Sequence, residues 1–182
     1  MSNKKLSKLD APKKLLNQEH FLNKNDFIVS KTDTKGTIIY CNEIFAKMSG
    51  HDASELIGAN HNLIRHPDMP KLAFKVVWDS IQNKKEFFGF VKNLVKDGSY
   101  YWVFAYITPD YDAQGNIISY TSVRRKPPES AIKIIEPIYK LLLDAERSGG
   151  VSASAKVLAD FLSEKNTTYD EFVINLQKGA TS

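Results

Sequence analysis

Six residues in the first half of the chain, Arg65-His66-Pro67-Asp68-Met69-Pro70, put a permanent cation, a group that titrates near neutrality and a carboxylate within four positions. Pro67 pushes His66 out of the α region, and Pro70 does the same to Met69 while suiting the start of a following helix. The product is a short, stiff, non-helical segment just ahead of a helix N-terminus. Such a segment favours an anion or a hydrogen-bonding heteroaromatic ligand. The plainer alternative is a helix-capping loop in which Arg65 is paired with Asp68. Other chemistry is poorly served. An enzyme built on His66 and Asp68 needs a nucleophile or a metal that no motif advertises, so the protein is not expected to be an enzyme. The single cysteine, Cys41, excludes an intramolecular disulfide framework and a cysteine-rich zinc site. No Gly-x-Gly-x-x-Gly run occurs, so any dinucleotide is held without a Rossmann loop.

The elements that must position this segment follow from periodicity and turn residues. Residues 1–25 form a polar lead-in with a weak helical pattern (Leu9, Leu15, Leu16, Phe21, Leu22), read as an N-terminal cap or a homodimerisation element. Phe27–Lys31 and Thr37–Cys41 are two strands joined by a turn at Asp33-Thr34-Lys35-Gly36. Asn42 is an N-cap for a helix stopped by Gly50, and a shorter helix ends at Gly58. Beyond Pro70, the spacing of Ala73, Val77 and Ile81 with Phe74 and Trp78 predicts a helix of about fourteen residues. Phe87–Val95 and Tyr100–Thr108 make a hairpin on an Asp97-Gly98 turn, and Ile117–Arg125 is a further strand. This is an α+β domain with a five-stranded antiparallel sheet over residues 26–127. Pro127-Pro128 ends it, and 128–182 is a helical extension. Pro137 should kink or restart its first helix, Gly149-Gly150 should separate a second, and Thr168-Tyr169-Asp170-Glu171 is a capping box for a third.

Composition sets outer bounds. With 42% hydrophobic and 25% charged residues, the 182-residue chain has the make-up of a globular protein able to bury a core. The net charge of +4 gathers at the N-terminal lysines and at Arg124-Arg125-Lys126, without a nucleic-acid-binding motif around it. No run of about 18 apolar residues occurs and no apolar stretch follows the lysine-rich start. These features predict a cytoplasmic protein with no direct membrane insertion, reaching a membrane only through a partner.

The element order, with short helices between strands two and three, resembles a PAS domain. The motifs carrying the likeness are Ser30-Lys31-Thr32-Asp33, Tyr40-Cys41-Asn42 with Phe45, Ser49-Gly50, Glu55-Leu56-Ile57-Gly58, His61 to Pro70, Ala73-Phe74, Trp78, Val91-Lys92-Asn93 and Tyr101-Trp102-Val103. Together they resemble the PAS domains of aerotaxis receptors of the Aer type, over residues 27–127. The helical tail from Ile134 to Leu176 is similar to one that follows such domains in energy-taxis proteins of the CetB type.

That resemblance implies non-covalent FAD in the PAS cavity, serving as a redox sensor for a chemotaxis signalling partner. Carried onto matching positions, it assigns Arg65, His66 and Asp68 to the flavin segment, with Asn42, Trp78 and Asn93 as further pocket residues. Where the Aer-type pattern has tryptophan before Gly-x-Val-Lys-Asn, this chain has Phe87, which can stack on an isoalloxazine with less area and no N–H donor. Residues 60–69 lack the cysteine of light-sensing flavin PAS domains, and 70–84 lack the axial histidine of the common haem type, leaving His61 or His66 for haem. Asn93 is the first candidate for a redox relay, because a carboxamide can present either donor or acceptor to a ligand atom that changes role. In the plainer readings Asn42 is a helix cap, Trp78 is core and Asn93 satisfies backbone. The rival function is a cofactor-free PAS interaction module or a haem or small-ligand sensor. Both readings require a partner, expected to be a membrane-anchored chemoreceptor-like protein, since no HAMP, kinase or receptor-tail segment is seen.

Overall fold

The computed structural model describes residues 5–179; residues 1–4 and 180–182, the ends of the predicted N-terminal and C-terminal segments, lie outside the described residues. Five strands form one antiparallel sheet: β1 (Ile28–Thr32), β2 (Ile38–Cys41), β3 (Phe87–Leu94), β4 (Tyr100–Tyr111) and β5 (Ile117–Arg125), in the order β2-β1-β5-β4-β3. Between β2 and β3 run the short helices α1 (Glu43–Ser49) and α2 (Ala53–Leu56), a 3-10 turn at His61–Ile64, and α3 (Lys71–Gln82). This is the predicted α+β architecture with its five-stranded sheet.

Strand alternation sorts the side chains. Odd-numbered residues of β3 and β4 face the short helices, where Leu56, Leu63, Ile64, Tyr101 and Val103 pack with Phe45. Even-numbered residues, including Phe90, Trp102 and Phe104, face the opposite way, toward the C-terminal helices α4 (Glu129–Glu164) and α5 (Tyr169–Gln177). The apolar stripe of the extension is therefore spent on the sheet: Ala131, Ile135, Ile138, Tyr139 and Leu142 of α4 and Phe172, Val173 and Leu176 of α5 are all buried there.

Two local expectations differ from what forms. The N-terminal stretch is not a helix beyond a 3-10 turn at Lys8–Asp10. It runs extended beside the β3–β4 hairpin, where Leu16 donates to the Gly98 carbonyl at 2.8 Å and His20 donates to that of Tyr100 at 2.8 Å. Unpaired backbone groups at the start of β4 outcompete a weak helical pattern there. Gly98 permits this contact, since its φ of 97° is left-handed and a side chain would collide with Lys14. Pro137 lies inside α4 without ending it, whereas Gly149 and Gly150 leave helical geometry and divide the helix into two arms. A proline removes one helical donor, but a glycine at φ 69° turns the backbone itself.

Candidate functional site

The inner face of the sheet carries one strongly polar group in an otherwise apolar layer. Arg124 is only 3% exposed. Its Nε donates to the Ser122 hydroxyl at 2.9 Å, its Nη2 donates to Ser30 Oγ and to His61 Nε2 at 2.8 Å, and its Nη1 has no partner. β5 and β1 set these positions, because Ser30 and Ser122 are paired in register and Arg124 follows Ser122 on the same face. The guanidinium lies 5.0 Å from the Phe45 ring centroid, and Phe45 stacks on His61 with centroids 5.6 Å apart.

The electrostatics are lopsided. Burial lowers the Arg124 pKa to about 10, which leaves it charged at neutral pH, and among the described residues no carboxylate pairs with it. Burial, reinforced by the Arg124 charge, holds His61 at about 3. A neutral imidazole can accept at Nε2, which fits the donation from Arg124. Tyr101 and Asn93 face each other across β4 and β3, and the buried Tyr101 Oη and Asn93 Nδ2 have only each other as polar neighbours, in poor hydrogen-bond geometry. Burial raises the Tyr101 pKa, so its hydroxyl stays protonated. One guanidinium nitrogen is thus desolvated and unsatisfied in this layer, at a cost of about 1–3 kcal/mol unless something binds it, and the Tyr101–Asn93 pair beside it is bonded to nothing else.

Beside this cluster the sheet surface is flat and then aromatic. Gly89, Ala105 and Arg124 are consecutive register partners across β3, β4 and β5, so two of the three leave the inner face low. Phe87 and Tyr120 are buried with Ile81 of α3, and Trp78 stands edge-on to Tyr120 at 5.7 Å and 84°. The Phe87 ring and the Tyr169 hydroxyl lie over Gly89, so a flat heteroaromatic group with exposed acceptor atoms would sit between this aromatic rim and the cationic end only by displacing them.

The seven residues singled out from sequence do not all meet here. Asn93 lies in the polar cluster, and Trp78 and Phe87 lie on the aromatic rim. Asn42 is fully spent as a cap: its Oδ1 accepts from Val29 and Phe45 backbone amides at 3.0 and 3.1 Å, and its Nδ2 donates to the Phe27 carbonyl at 2.8 Å. The charged hexapeptide covers the free edge of β3. Arg65 bridges Asn93 through backbone pairing, but its guanidinium lies 4.1 Å from the Phe74 ring centroid and donates to the Met69 carbonyl at 3.0 Å. Asp68 accepts from Lys92 Nζ at 2.8 Å, and Lys92 points to the outer face, where it also approaches Glu136 of α4 at 3.5 Å. His66 Nδ1 accepts from the Asp68 backbone amide at 3.1 Å, and burial lowers its pKa to about 4 against the opposing pull of Asp68. The Arg65–Asp68 pair of the plainer reading does not form; Asp68 takes Lys92 instead.

Sequence reasoning gives Arg124 and Tyr101 no site role and offers His61 only as a haem ligand. One signal is available: Tyr120, Ser122 and Arg124 alternate along β5, which puts an arginine on the same face as two residues suited to an interior. Parity alone does not say which face is inside.

Similarity to known proteins bears on the same region. Residues 38–124 match the family model for the PAS fold. The aerotaxis receptor of Escherichia coli (strain K12) is 39% identical over 115 residues, 63% of this chain and 22% of the receptor. The nitrogen fixation regulatory protein of Klebsiella oxytoca is 28% identical over 97 residues, 53% of this chain and 20% of the regulator. This chain therefore spans about a fifth of each of these relatives. A light-oxygen-voltage domain solved in a study of a flavin analogue superposes with a TM-score of 0.54 at 25% identity, covering 60% of this chain and 82% of that one.

Proposed function

Since residues 38–124 of this chain form a PAS signalling domain related to that of the aerotaxis receptor, we propose that the protein is a non-enzymatic redox sensor that holds FAD non-covalently between the sheet and α3. The observation that carries this reading is the buried polar group on the inner face: Arg124 Nη1 without a partner, beside Tyr101 Oη and Asn93 Nδ2, which have only each other. A flavin offers acceptors to all three, and its reduction changes a ring nitrogen from acceptor to donor. Asn93 can answer that change by turning its carboxamide, because its Nδ2 has only the Tyr101 hydroxyl beside it, in poor hydrogen-bond geometry. Arg124 favours any negative charge that develops near it, in a layer too dry to screen the interaction. Trp78 and Phe87 supply aromatic surface beside the small floor of Gly89 and Ala105.

The output runs through β3 to the C-terminal helices and from there to a chemotaxis partner, expected to be a membrane-anchored chemoreceptor-like protein. Among the described residues no helix is long and apolar enough to cross a membrane. The test is the absorption spectrum of purified protein before and after adding FAD and then a reductant. Flavin bands that bleach on reduction support the reading; protein that stays colourless with excess FAD overturns it.

A further inference from the structure

Tyr169 is the first residue of α5, far from the sheet in sequence, yet its hydroxyl reaches the sheet's inner face. Odd-numbered residues of β3 point inward, so a Cβ added at Gly89 would also point inward. It would lie 2.8 Å from the Tyr169 hydroxyl and 2.5 Å from Cζ of Phe87. The two rings lie together, with centroids 6.1 Å apart and planes inclined by 26°. Tyr169 packs both with the outer-face cluster and with the cluster of Ile81, Phe87 and Tyr120 that makes the aromatic rim. Its hydroxyl end is held beside Tyr139, whose own hydroxyl donates to the Phe90 carbonyl at 2.7 Å on the free edge of β3. Burial raises the Tyr169 pKa, followed by the effect of Tyr139, so the group stays neutral.

The position of this ring matters because β3 is an edge strand, with no further strand beside it among the described residues. Phe87 and Tyr169 together fill the space over Gly89, and the Gly89–Ala105–Arg124 row leads from it to the unpartnered guanidinium nitrogen. We propose that Tyr169 is a cavity residue supplied by the C-terminal extension: with Phe87 it closes the β3–α3 slot of the PAS interior and links docking of α5 to ligand occupancy. This rests on the reading that the interior holds FAD. Coupling of this kind is reciprocal, so a closed slot slows ligand escape and a bound ligand slows α5 opening by the same factor.

Two measurements on the full chain test it. FAD release is followed after mixing loaded protein with an excess of a flavin-scavenging apoprotein. Tyr169→Ala should release FAD about tenfold faster, whereas Tyr169→Phe, which keeps the ring, should stay within about twofold of the natural protein. Hydrogen exchange of residues 169–177 in the unmutated protein should slow when FAD is added; a role in packing alone gives no such response. Release from Tyr169→Ala at the natural rate or slower, or α5 exchange indifferent to FAD, overturns the proposal while leaving flavin binding intact. Should Tyr169→Ala fail to fold, the exchange measurement on the natural chain decides alone. Natural protein that takes up no FAD removes the premise and this proposal with it.

Discussion

Glu146, near the end of the first arm of α4, caps the N-terminus of α3 by accepting from the backbone amide of Leu72 at 2.8 Å and, through its second oxygen, from that of Lys71 at 3.0 Å. The residue at the cap position itself is Pro70, which has no side-chain acceptor. A carboxylate from the C-terminal extension thus completes a helix of the sheet domain and complements its dipole. Replacing Glu146 with alanine should lower stability in urea by about 1 kcal/mol. Glu146→Gln should cost less, since its amide oxygen can still accept one bond. A Glu146→Ala midpoint equal to the natural one would show that solvent serves α3 equally well.

Arg124 gives a prediction of opposite sign for the apo and ligand-bound protein. A buried cation without an anion destabilises the empty fold. Arg124→Met should therefore leave apo stability unchanged or raise it by about 1 kcal/mol, even though it removes the hydrogen bonds to Ser30, Ser122 and His61. The same change removes a charged donor from the inner face and should weaken FAD binding about tenfold or more. Denaturant melts with and without FAD read both effects. A variant much less stable than natural apo protein, with unaltered flavin affinity, would make Arg124 a structural residue only.

Much of this fold is legible from local pattern, because turns, caps and strand alternation act over a few residues. The Asp97-Gly98 hairpin, the Thr168 capping box and the break at Gly149-Gly150 are of this kind. The Glu146–Leu72 contact is not, since the partners are 74 positions apart and neither carries a pattern that names the other. The candidate site divides the same way. Asn93, Trp78 and Phe87, which the family likeness names as pocket residues, lie on the inner face or its rim. Asn42 has both an N-cap position and a family match, and its hydrogen bonds go to the cap at Phe45 and to the backbone of Phe27 and Val29. The hexapeptide reads as a ligand loop because charge and proline are visible in sequence, but the direction its side chains take depends on Lys92, which sits on the outward parity of β3. Arg124 escapes notice because an arginine beside another arginine and a lysine looks like a basic surface run until burial is known.

His61 sets a pH dependence. Its folded pKa of about 3 lies below the ordinary value of 6.5, owing first to burial and then to Arg124. Between those values the unfolded chain binds a proton that the folded one refuses, so stability falls as pH drops from about 6.5 toward 3, with a slope of up to about 1.4 kcal/mol per pH unit from this residue. His66, lowered to about 4 chiefly by burial, acts in the same direction over a narrower window. His61→Gln should flatten the slope between pH 6 and about 4 by roughly the contribution of one group. Urea titrations at several pH values decide it, and an unchanged slope in the variant would mean that His61 is protonated in the fold.

Asp68 separates the two sides of the sheet. Its carboxylate is 58% exposed, but the Lys92 amine it holds is only 7% exposed and rests 4.2 Å from the Tyr100 ring centroid, with Glu136 the other acid in reach. Removing the acid leaves a buried cation with one weaker partner, so Asp68→Asn should destabilise the protein by about 1–2 kcal/mol, after allowing for solvent around the carboxylate. Because this pair faces α4, the loss should appear as faster hydrogen exchange in the first arm of that helix. Flavin affinity should fall far less than in Asn93→Ala or Arg124→Met, whose side chains lie on the inner face. Equal loss of FAD in Asp68→Asn and Asn93→Ala, at equal stability, would place the hexapeptide's carboxylate in the ligand site and move the binding surface toward the edge of β3.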